Sequence, residues 1–247
     1  MHFSTPTDSL QLLSRSVDCR RRRAVSGRTI GRSHGGLVYS LAMGIFSSNS
    51  ERKLLEARMK DAGRLPPGQV ATLKWPVLHL GEVPRFDPRT WDLRTTGFVR
   101  NPLRLIWGQF QALPRTEVTA DFHCVTRWSH FDNHWEGVGF RTLCDLTQPL
   151  SSATHVLIYG EEDYTTNVPL ADLLEDNVLL ADRHDGAPLE PEHGGPLRLV
   201  VPNLYGWKSA KWIRQLEFLA GDQPGYWERN GYHMYGDPWR EQRFDTD

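Results

Sequence analysis

The chain divides into two parts by its pattern of apolar and polar positions, and the first part has almost no pattern. Residues 1–42 are rich in Ser, Arg, Gly and Thr and show no apolar periodicity. Such a segment buries too little apolar surface to offset the entropy that it would lose on ordering. We therefore expect a disordered extension or, because Met43 could itself begin a protein, a wrongly assigned start.

Residues 43–70 predict a helical N-terminal arm. Positions 50–62 are mostly charged, and Leu54, Leu55, Arg58 and Met59 recur at helical spacing, which gives one weak apolar face. The Pro-Pro-Gly run at 66–68 cannot continue a helix, so it ends the arm and begins an extended region.

From residue 71 to residue 247 the pattern changes to short apolar runs bounded by Pro, Gly, Asn or Asp, which is typical of strands. The predicted strands are 76–80, 93–99, 117–124, 155–159 and 197–201, and the predicted helices are 107–113 and 170–180. Many short strands with few helices favour an α+β domain, in which β-rich mixed sheets carry a few helices.

The net charge and the hydropathy of the chain argue against a nucleic-acid-binding protein and against a membrane-spanning one. A net charge of -1 and a pI near 6.8 provide no strong field to hold a nucleic acid or an anionic membrane, so we expect a small-molecule substrate. No apolar run approaches the roughly 18 residues of a membrane span. We expect a cytoplasmic protein. The arginines at 20–23, ahead of the apolar run 37–46, leave an arginine-rich export signal as the alternative.

The three cysteines, Cys19, Cys124 and Cys144, form no CxxC motif and are too few for a disulfide scaffold. This usage indicates a reducing compartment, where a cysteine serves either packing or chemistry. The nine tryptophans fit either a packed core or walls around a planar ligand.

Cys124 is the strongest candidate for chemistry. A strand pattern over 118–122 delivers it to a polar turn, with His123 and Arg127 close by in sequence. Positive neighbours favour the thiolate, which is both a better nucleophile and a better ligand for a soft metal. Taken alone, such a cysteine is more often packed at a strand end, and the nucleophile of a hydrolase is a further alternative.

A zinc site is a further alternative, because His123, His130 and His134 lie near Cys124 in sequence. However, adjacent side chains on a strand point to opposite faces, so His123 and Cys124 cannot easily share one metal.

Two later segments carry basic residues beside glycine turns. The sequence HGGPLRLVVP at 193–202 places Arg198 at the start of a strand, after a Gly-Gly-Pro turn. The sequence GWKSAKW at 206–212 offers Lys208, Ser209 and Lys211 as donors suited to a phosphate. Either segment alone is more typical of a solvated basic turn.

Together with HCVTRWS at 123–129, these two segments resemble, in order and spacing, the molybdopterin-binding catalytic domain of the sulfite oxidase family. The likeness extends from about residue 76 to the C-terminus and is greatest to the compact bacterial sulfite-oxidase-like and methionine-sulfoxide-reductase-like members. It implies a β-rich mixed-sheet domain of the sulfite oxidase type.

The resemblance also implies roles for individual residues. Cys124 would ligate molybdenum, together with the dithiolene sulfurs of molybdopterin. The cofactor-binding set would be His79, His193, Arg198, Ser209, Ala210 and Lys211, with Thr165 or Thr166 as a further contact. The family varies at the position of Arg127, so its catalytic role, neutralising an anionic or oxygen-rich substrate, is inferred from its charge. Tyr159 and Tyr164 are available as the family's catalytic tyrosine.

The expected activity is two-electron oxygen-atom transfer by a molybdenum–pterin oxidoreductase on a small oxyanion or an S- or N-oxide. Its electron-transfer partner is not identified by the sequence. Neither the haem domain nor the dimerisation domain of the larger sulfite oxidases is present, so we expect a monomer. The alternatives are a non-catalytic β-rich binding module and a zinc-dependent hydrolase that uses Cys124 and the nearby histidines.

Overall fold

The computed structural model describes the backbone of residues 36–246 and the side chains of residues 48–246. The first element is helix α1 (Gly36–Asp61), which begins earlier than the predicted start at residue 50 and ends where the sequence predicts. Met59 is buried against Ala71 and Phe131, whereas Leu54 of the predicted face is exposed. The prediction of disorder concerns mainly residues 1–35, which lie outside the described residues.

Eleven strands and four short α-helices follow among the described residues. They are β1 (Val70–Ala71), β2 (Asp92–Gly97), β3 (Arg104–Ile106), α2 (Trp107–Gln111), β4 (Thr116–His123), β5 (Trp128–Gly139), α3 (Phe140–Thr147), β6 (His155–Tyr159), β7 (Thr165–Pro169), α4 (Leu170–Leu173), β8 (Leu179–His184), β9 (Ala187–Pro188), β10 (Arg198–Val200), β11 (Gln215–Leu219) and α5 (Tyr226–Arg229). The α+β class is confirmed.

The strands form two mixed sheets. The first has six strands in the order β1-β5-β8-β10, with β4 paired to β5 and β9 paired to β8. The second has five strands in the order β3-β2-β11-β6-β7, where β2 and β11 run parallel. The antiparallel β4–β5 pair ends with His123 opposite Ser129, so the cysteine falls in the connection between the two strands.

Successive side chains along β8 and β10 point alternately to the main core and to the face that carries the site. Leu180 and Leu199 pair in the register and face the main core between the sheets. Their neighbours Leu179 and Val200 point to the opposite face, where they pack with Trp135 and other aromatic rings. Arg198 lies two residues before Val200, so it belongs to the aromatic face.

Two sequence predictions of local structure are wrong. Residues 76–80 form no strand and instead run as irregular chain. The helix predicted over 170–180 stops at Leu173, and strand β8 begins at Leu179. Leu179 and Leu180 are fully buried on opposite faces of the first sheet, which a helix could not achieve. A short apolar run fits either element, and here tertiary burial decides.

Candidate functional site

The turn at 124–127 holds Cys124 in a fixed position. Its amide donates to the Trp128 carbonyl (2.9 Å), and its carbonyl accepts from the Arg127 amide and from the Gln69 side chain (both 3.0 Å). The Sγ atom lies 3.1 Å from Thr126 Oγ1. Arg127 closes the turn with φ of 72°, a left-handed conformation unusual for a side chain other than glycine.

Burial raises the pKa of the Cys124 thiol, while the Thr126 hydroxyl and the charges of Lys211 and Arg243 oppose that rise. A cation bound at the sulfur would shift this balance towards the thiolate. The environment therefore suits a metal ligand better than a free nucleophile, because no histidine among residues 48–246 bonds to the sulfur to accept its proton.

Cys124 lines a cavity whose empty space, including the part open to solvent, is about 840 Å³. Five of the nine tryptophans line it, at positions 75, 128, 207, 212 and 227. These five tryptophans are therefore placed where they could form walls around a planar ligand.

One part of the cavity wall, which we call the cationic side, is formed by Trp75, Phe122, His193, Arg198 and Lys211. Arg198 is 1% exposed and lies over three rings, 5.1 Å from the Phe122 centroid and 5.4 Å from those of Trp75 and Trp135. Burial lowers its pKa to about 9.

The Arg198 guanidinium donates to the carbonyls of His193 (2.8 Å) and Ser209 (3.0 Å). No carboxylate of the described residues pairs with it. A buried cation held only by neutral acceptors favours an anion in the adjoining space.

Lys211 and His193 lie beside Arg198. The Lys211 ammonium donates to the carbonyls of Leu78 (2.7 Å) and Glu192 (2.6 Å), and burial lowers its pKa to about 7. The His193 ring stacks on Trp75, with centroids 3.8 Å apart. Burial, followed by the charges of Lys211 and Arg198, lowers the His193 pKa to about 4, so the imidazole is neutral at pH 7.

The other predicted cofactor residues also line the cavity, but they contribute differently. Ser209 is buried, and its hydroxyl accepts from the Val201 amide at 3.0 Å, so this side chain fixes the segment. Ala210 presents a small side chain. His79 packs edge-on against Trp212, within a stretch that was predicted as a strand. The structure thus brings all six predicted cofactor residues to one cavity with Cys124.

A second part of the wall, which we call the cysteine side, is formed by Cys124, Tyr164, Trp207, Trp227 and Tyr232. Apart from the sulfur and the two phenols it is aromatic and carries no charged group. The Tyr164 hydroxyl donates to the Trp207 carbonyl. Burial raises the pKa of both tyrosines, so their hydroxyls remain protonated at neutral pH.

An ion pair behind the wall supports the cysteine side. Lys208 and Glu228 are both fully buried, 2.6 Å apart, and Glu228 also accepts from the Trp207 indole at 2.9 Å. The Lys208 ammonium bonds further to Asn167 and to the Met234 carbonyl. Lys208, a candidate phosphate donor from sequence, therefore faces away from the cavity and positions Trp207.

Other candidate residues lie apart from the cavity. Arg127 is exposed on the turn and does not line the cavity. Its position therefore gives no support to the catalytic role expected from the sequence. The Tyr159 hydroxyl donates to Glu217 at 2.5 Å. Thr166 donates to Glu228 (3.0 Å), behind the wall, and Thr165 accepts from Arg229.

The histidines of the zinc alternative also separate. His123 points away from Cys124 and bonds to Ser129 Oγ at 2.8 Å, while His130 bonds to Asn133 at 2.7 Å. Burial lowers the His123 pKa to about 4, so it supplies no positive charge to the sulfur at pH 7. Within residues 48–246, no group of three or more His, Cys, Asp or Glu side chains is placed to hold a metal ion.

Comparison with known proteins identifies the family and the fold. Residues 80–227 match the family model described as the oxidoreductase molybdopterin binding domain. The chain belongs to this family. The matched residues include Cys124, Arg198 and Lys211. The protein is therefore a molybdopterin-binding oxidoreductase whose cofactor is molybdenum–molybdopterin, which confirms the recognition made from the three sequence segments.

Two relatives show how far the likeness extends. The chain is 49% identical over 187 residues to YuiH of Bacillus subtilis, an uncharacterized oxidoreductase, covering 75% of this chain and 94% of that protein. It is 31% identical over 156 residues to YedZ1 of Azospira oryzae, a putative protein-methionine-sulfoxide reductase subunit, covering 63% of this chain and 59% of that protein.

A solved structure has the same fold. The sulfane dehydrogenase SoxCD of Paracoccus pantotrophus superposes with a TM-score of 0.55 at 22% identity, covering 62% of this chain and 43% of that chain. This likeness confirms the sulfite oxidase type of mixed-sheet domain. Among the described helices, none has both the length and the hydropathy needed to cross a membrane.

The residues present fit the cofactor on structural grounds as well. Three residues that line the cavity each have a buried polar atom without a partner among the described residues: Trp128 Nε1, His193 Nδ1 and Tyr232 OH. Buried polar groups are almost always hydrogen-bonded, so these atoms indicate a ligand. A Cβ on Gly206 would lie 2.5 Å from the Phe122 ring, so glycine keeps this wall open.

Proposed function

We propose that the protein reduces a small S-oxide by two-electron oxygen-atom transfer, with Cys124 as the protein ligand of molybdenum. The observation that carries the proposal is the pairing, in one cavity, of a buried cysteine sulfur with a buried arginine that lacks a carboxylate. The first suits a soft metal and the second suits an anionic cofactor.

The cofactor, when bound, supplies the exchange of two electrons and one oxygen atom. The chain provides position and charge. Arg198 and Lys211 would hold the anionic end of the pterin, His193 and Trp75 would pack against its ring system, and the turn at 124–127 would fix the sulfur. The aromatic rings of the cysteine side would exclude water from the reacting atoms.

The reaction balances as R₂SO plus two protons and two electrons giving R₂S and water. The S–O bond breaks, and the oxygen leaves as water. A one-electron donor of low potential must supply the electrons, in the manner of a reduced viologen. The natural electron partner stays unassigned.

An S-oxide is preferred over a free oxyanion because of the charges that line the cavity. Within the described residues, Arg198 and Lys211 are the only arginine and lysine there, and both would be occupied by the cofactor. The remaining wall is aromatic, which favours a neutral substrate with an apolar body. In keeping with this, YedZ1 and the MsrP protein of Gluconobacter oxydans, 32% identical over 169 residues, are named as protein-methionine-sulfoxide reductases.

The test compares two buried cysteines, Cys124→Ser and Cys144→Ser, in protein made in a molybdenum-replete host. Cys144 lies in α3 away from the cavity, so its variant is the matched control. We expect stoichiometric molybdenum and pterin fluorescence in the wild type and in Cys144→Ser, and loss of molybdenum in Cys124→Ser. Well-folded wild-type protein that lacks both molybdenum and pterin would overturn the proposal.

Reaction direction is tested on the same loaded protein. We expect reduced viologen to be oxidised on addition of dimethyl sulfoxide, with a kcat/KM well above that for oxidation of sulfite by ferricyanide. The opposite order of the two values would replace the S-oxide by an oxyanion as the substrate.

A further inference from the structure

The turn that carries Cys124 is held by two side chains that lie outside residues 80–227, which match the family model. Before the matched residues, the Gln69 side chain donates to the Cys124 carbonyl at 3.0 Å. After them, Arg243 Nη1 donates to the Val125 carbonyl at 2.9 Å. Two consecutive carbonyls of the turn are therefore bonded to buried side chains from segments on either side of the matched domain.

Arg243 is itself fixed in place from several sides. It is 3% exposed, and its guanidinium lies 4.9 Å from the centroid of the Tyr205 ring. Nη2 donates to the Pro67 carbonyl at 3.4 Å, and the backbone carbonyl of Arg243 accepts from the His233 amide at 3.2 Å. A buried side chain with ring, loop and backbone contacts of this kind has little freedom to leave the turn.

The turn and the two flanking segments meet at Gly68, where there is no room for a side chain. A Cβ at this position would collide with Glu241 Oε1 and would lie 3.1 Å from Arg127 Nη1 and 3.2 Å from Arg243 Nη2. The φ of Gly68 is 66°, a left-handed conformation that glycine adopts without strain. Glycine therefore allows the C-terminal segment to approach the turn closely.

Arg243 also brings a positive charge towards the sulfur. Burial raises the pKa of the Cys124 thiol, and the charges of Lys211 and Arg243 oppose this rise. Glu241 pairs with Nη2 at 3.5 Å from a half-exposed position, whereas Nη1 is directed at the turn. A buried cation close to a metal-bound thiolate stabilises the reduced, more negative states of the metal.

We propose that Arg243 is a positioning residue for the molybdenum ligand: it holds the Cys124 turn through the Val125 carbonyl, and its charge raises the reduction potential of the bound metal. This inference rests on the proposed role of Cys124 as the metal ligand. Groups that hold a ligand from outside the metal's own coordination sphere commonly tune the metal in this way. The C-terminal segment then acts on the metal through the turn, without contact with the substrate.

The test compares Arg243→Lys with Arg243→Gln. Both variants lose the guanidinium fork, but lysine keeps the positive charge and glutamine does not. Arg214→Gln is the matched control, because Arg214 also donates to a backbone carbonyl, that of Asp92 at 2.9 Å, and does not line the cavity of Cys124. The measurements are amide hydrogen exchange in the apoprotein and the reduction potential of molybdenum in the loaded protein.

The exchange measurement needs no cofactor. The Arg127 amide donates to the Cys124 carbonyl and reports opening of the turn. Arg243→Gln should raise its exchange rate about 10-fold, because the turn loses a charge-assisted hydrogen bond. Arg243→Lys should give an intermediate rate, since its ammonium keeps a charged donor without the fork. Arg214→Gln should lower Tm and leave this rate within about twofold of the wild type.

The potential separates charge from geometry. In Arg243→Gln the reduction potential of molybdenum should move to a more negative value, and kcat/KM for dimethyl sulfoxide should fall about 10–100-fold. Arg243→Lys and Arg214→Gln should keep the potential of the wild type. A merely structural role predicts equal shifts in the two variants at position 243, because both lose the fork.

Each remaining outcome has a defined meaning. An unchanged potential in Arg243→Gln, with molybdenum bound, overturns the role of Arg243 and leaves the proposed function standing. Equal shifts in the lysine and glutamine variants overturn the tuning by charge. If Arg243→Gln does not fold, a wild-type exchange rate in Arg243→Lys overturns the holding of the turn. Wild-type protein that binds no molybdenum overturns both proposals, whereas a preference for sulfite over dimethyl sulfoxide changes the substrate and leaves the role of Arg243 intact.

Discussion

The cationic side and the cysteine side of the cavity are both buried, but they differ in how their charged groups are compensated. Arg198 and Lys211 are cations whose described partners are backbone carbonyls and aromatic rings, so their charge is solvated but not neutralised. Behind the cysteine side, the buried pair Lys208–Glu228 is neutralised internally and turned away from the cavity. The cationic side therefore keeps a positive field that can attract a ligand, whereas the charges of the pair behind the cysteine side cancel each other.

This difference separates binding from chemistry. A positive field at the cationic side attracts the anionic part of a cofactor. A neutral aromatic wall at the cysteine side lets a few polar atoms decide how a substrate is oriented. Two lysines of the same segment show the contrast directly, because Lys211 faces the cavity while Lys208, three residues earlier, supports it from behind.

The largest effect is expected from Lys208→Met. Removing the ammonium leaves the Glu228 carboxylate buried without its countercharge, which costs about 3–5 kcal/mol of unfolding free energy. Urea unfolding of the apoprotein measures this loss. Lys211→Met is the paired variant. It removes a cation with no carboxylate partner, so it should leave apoprotein stability within about 1 kcal/mol and reduce pterin retention.

The double variant Lys208→Met/Glu228→Gln is the control for the ion pair. It removes both charges and should recover most of the lost stability. If the single variants at positions 208 and 211 lost equal stability, the assignment of the two lysines to separate tasks would be contradicted.

Arg198→Met is expected to change the unfolding free energy less than Lys208→Met does. The apolar side chain can occupy the space among Trp75, Phe122 and Trp135 without a desolvated charge, so the apoprotein should be at least as stable as the wild type. The affinity for the cofactor should fall about 10–100-fold, the value of a charge-assisted hydrogen bond. Pterin content after dialysis, together with Tm, measures both changes. A marked fall in apoprotein stability would show that the guanidinium serves the fold instead.

The basic residues of the cationic side could be predicted from the sequence because they lie in two short neighbouring segments. His193 and Arg198 lie in one segment of ten residues, and Ser209, Ala210 and Lys211 lie in the next. Cys124 was found for the same reason, since a strand pattern followed by a polar turn predicts where its side chain emerges.

The cysteine side could not be predicted in this way. Tyr164, Trp207, Trp227 and Tyr232 come together only through the pairing of the second sheet and the return of the C-terminal segment. Nothing in the local pattern tells Tyr232 from Tyr159, whose hydroxyl bonds to Glu217 away from the cavity. Strand β5 is not predicted from the sequence either, because His130 and His134 are considered only as ligands of the zinc alternative and the alternation along this stretch is left unused.

The smallest effect is expected from Arg127→Ala, which tests the sequence hypothesis most directly. The charge of Arg127 beside Cys124 predicts a raised KM when it is removed, whereas its exposed position outside the cavity predicts a change of less than about twofold in KM and in molybdenum content. Arg127→Gly sharpens the test, because φ of 72° suits glycine and should raise stability by up to about 1 kcal/mol with the same kinetics. A tenfold rise in KM in both variants, at unchanged molybdenum, would return Arg127 to the site and would mean that the cysteine side is not the neutral wall that the contacts describe.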